Sequence, residues 1–218
     1  MAFTPILTSN PTLKIGLWQE DSSFIKPLAT LAYEENIYLQ KITHFQRRQQ
    51  SHQARLCLHT LLSDLAPFIV KVNALGKPYL VPPLGFISLA HTRNASVVIY
   101  SSTYKVGIDI ESLKRNYQPY TTRYFMSAQE KDWFEQANLH QKTFIYFLTW
   151  CAKEAIYKLL SPFPFSISFS KNFSLLPSTL GKETIQTLIH LPTHTFQLWV
   201  YYLTIQEYII CYVWDEPF

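Results

Sequence analysis

The sequence predicts an α+β fold made of two similar α+β halves. Three observations carry that expectation. The 218-residue chain is 48% hydrophobic and 16% aromatic with only five glycines, a composition that builds cores. Runs with the two-residue period of strands and runs with the 3.6-residue period of helices both occur. Their order repeats: strand, helix, then several strands, once in residues 1–103 and again in 104–218, with the join near 102–106.

In the first half, "LKIGLW" (13–18) reads as a strand. A long polar-apolar stretch, about 28–66, holds its best helix in "SHQARLCLHTLLSDLA", with Ser51 as N-cap. Ala54, Leu58, Leu61, Leu62 and Leu65 recur there at steps of three and four, giving one apolar face. "GKPYL" (76–80) is a turn followed by a strand, because Gly76 and Pro78 punctuate it. "GFISLAH" (85–91) and "ASVVIYS" (95–101) are two β-runs around a short turn.

The second half opens with the strand "VGIDIE" (106–111). "MSAQEKDWFEQA" (126–137) is helical, with Ser127 and Glu130 spaced as a capping box. "KTFIYFLTWCAKEAIYKLL" (142–160) is the longest helical run, and Pro162 and Pro164 end it. "SISFS", "TIQTLIHL", "TFQLWVYYL" and "EYIICYVW" then read as strands.

The formal net charge of +4 is a mild excess of base with no long Lys/Arg run. It suits an anionic partner without arguing for nucleic acid. Cys57, Cys151 and Cys211 are odd in number and far apart, so neither a disulfide framework nor a zinc site is expected, and a cytoplasmic setting is. The N-terminal "MAFTPILTSNPTLK" lacks a signal-peptide pattern, and no apolar run is long enough for a membrane span.

Chemistry enters at "VGIDIE". On a strand, Asp109 and Glu111 share one face and Ile108 and Ile110 the other. Two carboxylates side by side repel. The conflict resolves if they face water, pair with Lys or Arg, or hold a divalent cation through hard oxygen donors. "WCAKEAIYK" (150–158) spaces Trp150, Lys153, Glu154 and Lys158 at i, i+3, i+4 and i+8. That places them within an arc of about 140° on one helix face. It is either a solvated Glu/Lys face or a third acid beside Asp109 and Glu111, with Lys153 and Lys158 meeting anionic substrate oxygens. His91 ends a hydrophobic strand and reads as structural or as a ligand contact. Arg47, Arg48 and Arg55 form a charge cluster or a phosphate clamp.

In this order and spacing, "GKPYL", "ISLAHT", "VGIDIE", "RYFMSAQE" and "WCAKEAIYK" resemble the surfactin-synthetase type of 4′-phosphopantetheinyl transferase. "GIDIE" with the Glu of "WxxKEAxxK" 43 residues after Glu111 carries the resemblance. It implies a pseudo-dimer of two α+β halves, monomeric with an internal pseudo-twofold. It implies transfer of the phosphopantetheine arm of coenzyme A to a serine of an apo acyl or peptidyl carrier protein, releasing 3′,5′-ADP, with neither nucleic acid nor membrane as partner. Mg²⁺, or Mn²⁺, would be held by Asp109, Glu111 and Glu154. Glu154 would be the base, Lys158 would neutralise the leaving phosphate, and Asp109 would complete the catalytic set. Coenzyme A would meet Arg48, Arg55, Gly76, Lys77, Pro78, Ala90, His91, Lys153 and Lys158, with the 3′-phosphate read among Lys41, Arg47, Arg48 and Arg55. The carrier would dock near "RYFMSAQE".

The chain departs from the pattern in places. Ala90 stands where the family has Ser, and "LLSPFPF" replaces a Gly-rich turn after the helix. The run from Phe45 to Arg55 is two residues longer than the pattern, and the last 55 residues match nothing specific. Two other functions fit the same residues. A Mg²⁺-dependent nuclease also uses clustered acids and a Lys, usually with the Lys on a strand. A binding module of the same fold would keep the architecture without the chemistry.

Overall fold

The computed structural model describes residues 2–8, 10–19 and 31–215. Residues 28–30, the start of the long stretch read at 28–66, lie outside them. The chain divides into two units: Met1–Ile108 with Trp214–Phe218, and Asp109–Val213. This division falls between Ile108 and Asp109, inside a strand that runs through 106–112.

The first unit begins with β1 (Ala2–Ile6), a strand the sequence reading did not anticipate, and β2 (Leu13–Gln19). Helices α1 (Tyr33–Gln40) and α2 (Phe45–Leu61) follow. Then come β3 (Ile69–Val72), β4 (Pro78–Val81), β5 (Phe86–Thr92) and β6 (Ala95–Ser101). A four-stranded antiparallel sheet runs β1-β2-β6-β5, and β3 and β4 form a separate hairpin. The β5–β6 turn is two residues long, between Thr92 and Ala95, and Asn94 takes the positive φ (64°) that reverses the chain. Helix α2 covers the sheet with Ala54, Cys57, Leu58 and Leu62, which share a core with Trp18, Val98 and Ile87. It starts six residues before the expected Ser51. The His44 side chain accepts a hydrogen bond from Arg47 N and caps it, while the Ser51 hydroxyl is engaged by Arg55.

The second unit contains the rest of β7 (Val106–Ser112), then α3 (Thr122–Phe125), α4 (Ala128–Gln136), α5 (Leu139–Leu160), α6 (Phe169–Asn172), β8 (Phe173–Leu175), β9 (Thr184–His190), β10 (Thr195–Ile205) and β11 (Tyr208–Trp214). The five strands are ordered β7-β11-β10-β9-β8. The fold is thus mixed α+β, as expected from the sequence. Ser127 caps α4 with Glu130 in the anticipated capping box, and α5 stops before Pro162. "SISFS" is not a strand. Asn172 accepts from Ser168 N and donates to His190 O, closing a helical turn there instead. The core packs Leu148, Cys151, Ala152, Ala155 and Ile156 of α5 against Ile185, Ile189, Val200, Ile209 and Val213 of the sheet. No helix among the described residues is long and apolar enough to cross a membrane.

Candidate active site

Strand β7 alternates as read. Ile108 and Ile110 are 0% and 1% exposed, in the core, while Asp109 and Glu111 take the other face. Basic partners relieve the repulsion on that face. Lys158 Nζ, on α5, donates to Asp109 Oδ1 at 2.6 Å, and Arg115 donates to Glu111 Oε2. Glu154, one turn before Lys158, makes no ion pair among the described residues. Burial first, then the Asp109 charge, pushes its carboxyl up to about 7, with Glu111 adding and Lys158 opposing. Burial and Asp109 likewise raise Glu111, against Arg115 and Lys158. The charges of these three acids therefore act on one another. Among the described residues, however, no three His, Cys, Asp or Glu side chains are gathered as a ready-made metal centre. Asp109 and Glu111 are turned to their cationic partners instead.

Lys153 requires a correction. It shares a helical arc with Glu154 and Lys158 on paper, yet its ammonium is fully buried. It donates to Glu130 Oε2 at 2.6 Å, Phe125 O at 2.7 Å and Phe169 O at 3.1 Å. Three donors meet three protein acceptors, so none remains for coenzyme A. The reason is angular: neighbours on a helix point 100° apart, and Lys153 turns inward.

Arg55 requires the same correction. It is 4% exposed, donates to Ser51 O and Oγ, lies 4.5 Å over the Tyr38 ring, and stands 3.8 Å from the buried Glu35 carboxylate. Glu35 also holds His59 at 2.9 Å. This is an internal network and not a phosphate clamp. Arg48 is placed differently. It lines a cavity of about 390 Å³ with Asn36, Gln40, Gln49 and His52, whereas Lys41 and Arg47 are exposed outside its lining.

Gly76, Lys77 and Pro78 form the expected turn. Asn73 Oδ1 accepts from Leu75 N and Lys77 N, and Gly76 takes φ +82°, a left-handed conformation that favours glycine. Lys77 and Pro78 line a cavity of about 160 Å³ together with Lys105. Burial, then the Lys105 charge, holds Lys77 below the usual amine range. His91 is exposed near the end of β5, and the Ala90 methyl is buried on the opposite face. In the "RYFMSAQE" stretch, Arg123 and Tyr124 are exposed while Phe125 and Met126 are buried.

Four residues escaped the sequence reading. Lys105 stands just before "VGIDIE", and its charge was the available signal. Arg115 lies four residues after Glu111, a spacing the reading did not use. Glu130 was identified as a cap but not as the partner of Lys153. Ser88, whose hydroxyl accepts from Ile108 N at 3.2 Å, carries no local signal at all.

Comparison with curated proteins gives no match. Residues 105–213, half of the chain, match the family model described as the 4′-phosphopantetheinyl transferase superfamily. The match runs through most of the last 55 residues, which the motif reading had left unassigned, and it leaves "GKPYL" and "ISLAHT" outside. It contains Asp109, Glu111, Glu154 and Lys158 together, and the superfamily uses coenzyme A to place phosphopantetheine on carrier proteins. This chain belongs to the 4′-phosphopantetheinyl transferase superfamily.

Proposed function

We propose that the protein is a surfactin-synthetase-type transferase. It moves the phosphopantetheine arm of coenzyme A to a serine of an apo acyl or peptidyl carrier protein, releases 3′,5′-ADP, and works as a cytoplasmic monomer. The observation that carries this reading is the meeting of Asp109, Glu111, Glu154 and Lys158 within the span of the family match.

A divalent cation fits the donor set. Three carboxylates whose charges act on one another supply hard oxygens, and Glu154 and Glu111 are raised by burial first and by their acidic neighbours second. Asp109, Glu111 and Glu154 would hold Mg²⁺, with Mn²⁺ as substitute. When bound, the cation would offset the charge of the diphosphate.

The chain's own residues do the rest. Glu154 accepts the proton of the carrier serine; beside a cation it would stay ionised, a weak base that acts through its placement. Lys158, held beside Asp109, stabilises negative charge developing on the leaving phosphate. Arg48, Gly76, Lys77, Pro78 and His91, with the backbone at Ala90, bind the nucleotide portion, and exposed Arg123 and Tyr124 meet an acidic carrier.

The test is incubation of an apo carrier protein with coenzyme A and Mg²⁺, read by intact-mass spectrometry. One phosphopantetheine arm should be gained. A carrier left unmodified, although bound, would favour the silent binding module. Cleavage of added DNA would favour the nuclease.

A further inference from the structure

We infer that the buried Glu130–Lys153 ion pair is a positioning element that fixes the rotation of α5 and so aims Glu154 and Lys158 at Asp109. This rests on the transferase reading above. Lys153 is fully buried, and its three N–H groups go to Glu130, to the Phe125 carbonyl at the end of α3 and to the Phe169 carbonyl in α6. Glu130 is fully buried too. Its Oε1 accepts from Leu175 N of β8 at 2.6 Å, and its Oε2 accepts from Ser127 N at the start of α4 at 2.6 Å as well as from Lys153. One ion pair therefore ties α3, α4, α5, α6 and β8 together. The three donors of Lys153 are all used and both partners are fully buried, so neither is available to a ligand.

The turn of α5 before Lys153 grips the same two residues. The Trp150 ring lies against Phe125 at 5.3 Å and Phe169 at 5.7 Å between centroids. Side chain and ring thus fix two successive turns to one pair of anchors. Glu154 is the next residue after Lys153, and Lys158 is one turn beyond. Any rotation of α5 that moved Glu154 away from Asp109 would strip Lys153 of its acceptors. Stability alone does not account for such a pair, because apolar replacements of buried ion pairs are often neutral or stabilising. Holding one geometry does.

The test compares wild type with the double variant Glu130→Gln/Lys153→Met, which leaves no stranded charge. Transfer from coenzyme A to an apo carrier gives kcat and KM separately, with kcat divided by the folded fraction from circular dichroism. The five tryptophans, labelled with 5-fluorotryptophan and assigned by Trp→Phe substitution, give a ¹⁹F spectrum. We expect kcat per folded molecule to fall 30-fold or more, KM for coenzyme A to stay within threefold, and the Trp150 resonance to move while the other four hold. A kcat per folded molecule within threefold of wild type, a loss confined to KM, or an unmoved Trp150 resonance would overturn the inference. If wild type transfers nothing, the proposed function fails, and the Trp150 resonance alone then decides the positioning role.

Discussion

Lys158 Nζ donates to Asp109 Oδ1 at 2.6 Å, joining α5 to β7 across 49 residues of sequence. This contact answers why a greasy strand carries two acids on one face. The Asp109 charge is balanced by a cation delivered from the helix, and the Glu111 charge by Arg115. Lys158 also opposes the rise of both Glu154 and Glu111. One amine therefore acts on both raised acids, against the larger effect of their burial.

Removing either member of that contact should silence transfer without unfolding the protein. Asp109→Ala and Lys158→Met should each lower kcat by roughly 10²–10³-fold, the size of a lost preorganised electrostatic contact. Lys158 keeps 27% of its side chain exposed, so circular dichroism should show an intact fold. Single-turnover carrier modification measures the first effect. A variant with full activity in Mg²⁺ would remove that residue from the active group.

Glu154 should make the metal-free protein less stable as pH rises. Its folded pKa, about 7, stands above its ordinary 4.5. Between those values the native state keeps a proton that the unfolded chain has released. The unfolded state then binds fewer protons, so unfolding free energy falls with rising pH. The contribution is fully present below pH 4.5 and is lost as pH climbs through about 7, amounting to a few kcal/mol at most. Thermal unfolding between pH 4.5 and 8 should show this slope, shallower in Glu154→Gln. The residual slope combines the raised Glu111, which acts in the same direction, with His52, whose pKa burial lowers and which acts in the opposite one. Mg²⁺ at pH 7.5 should restore stability to wild type more than to the variant.

How much of this was legible in the sequence depended on range. Alternation in β7, the Ser127–Glu130 box and the proline stop after α5 are local, and the residues stated them openly. The start of α2 was missed because a histidine, not Ser51, supplies the cap. At the site, the motif residues were visible, but the direction of Lys153 was not. A helical arc says which residues are neighbours, and only the tertiary partners Glu130, Phe125 and Phe169 say which way one of them turns. Arg55 was misread for the same reason, since Glu35 and Tyr38 lie on another helix.

Arg55 and His91 should now separate, although both were first read as coenzyme A contacts. Arg55→Ala takes one cation from beside the fully buried Glu35 and leaves it His59 at 2.9 Å, a loss on the order of 1–3 kcal/mol. Its binding defects should be equal for coenzyme A and dephospho-coenzyme A, and should track the drop in Tm. Exposed His91 should behave in the opposite way. His91→Ala should leave Tm nearly unchanged and weaken coenzyme A more than its dephospho form. Calorimetric titration of both ligands against each variant measures the difference. Equal losses in His91→Ala would give that residue a structural role.

Lys77 should contribute affinity through charge and leave the chemical step alone. It shares its cavity with Lys105, and burial together with that neighbour lowers its amine pKa. Asp215, 4.0 Å from Lys105, offsets only part of this positive charge. An anionic guest would relieve the repulsion between the two amines, so its binding should be strongest where both are charged. Lys77→Met should raise KM for coenzyme A by about tenfold, the equivalent of one charge-assisted hydrogen bond, with kcat held within about twofold. Salt screens such a contact, so the gap between wild type and variant should narrow at 0.5 M NaCl. A kcat loss that salt does not touch would instead mean that the Gly76 turn shapes the reacting geometry.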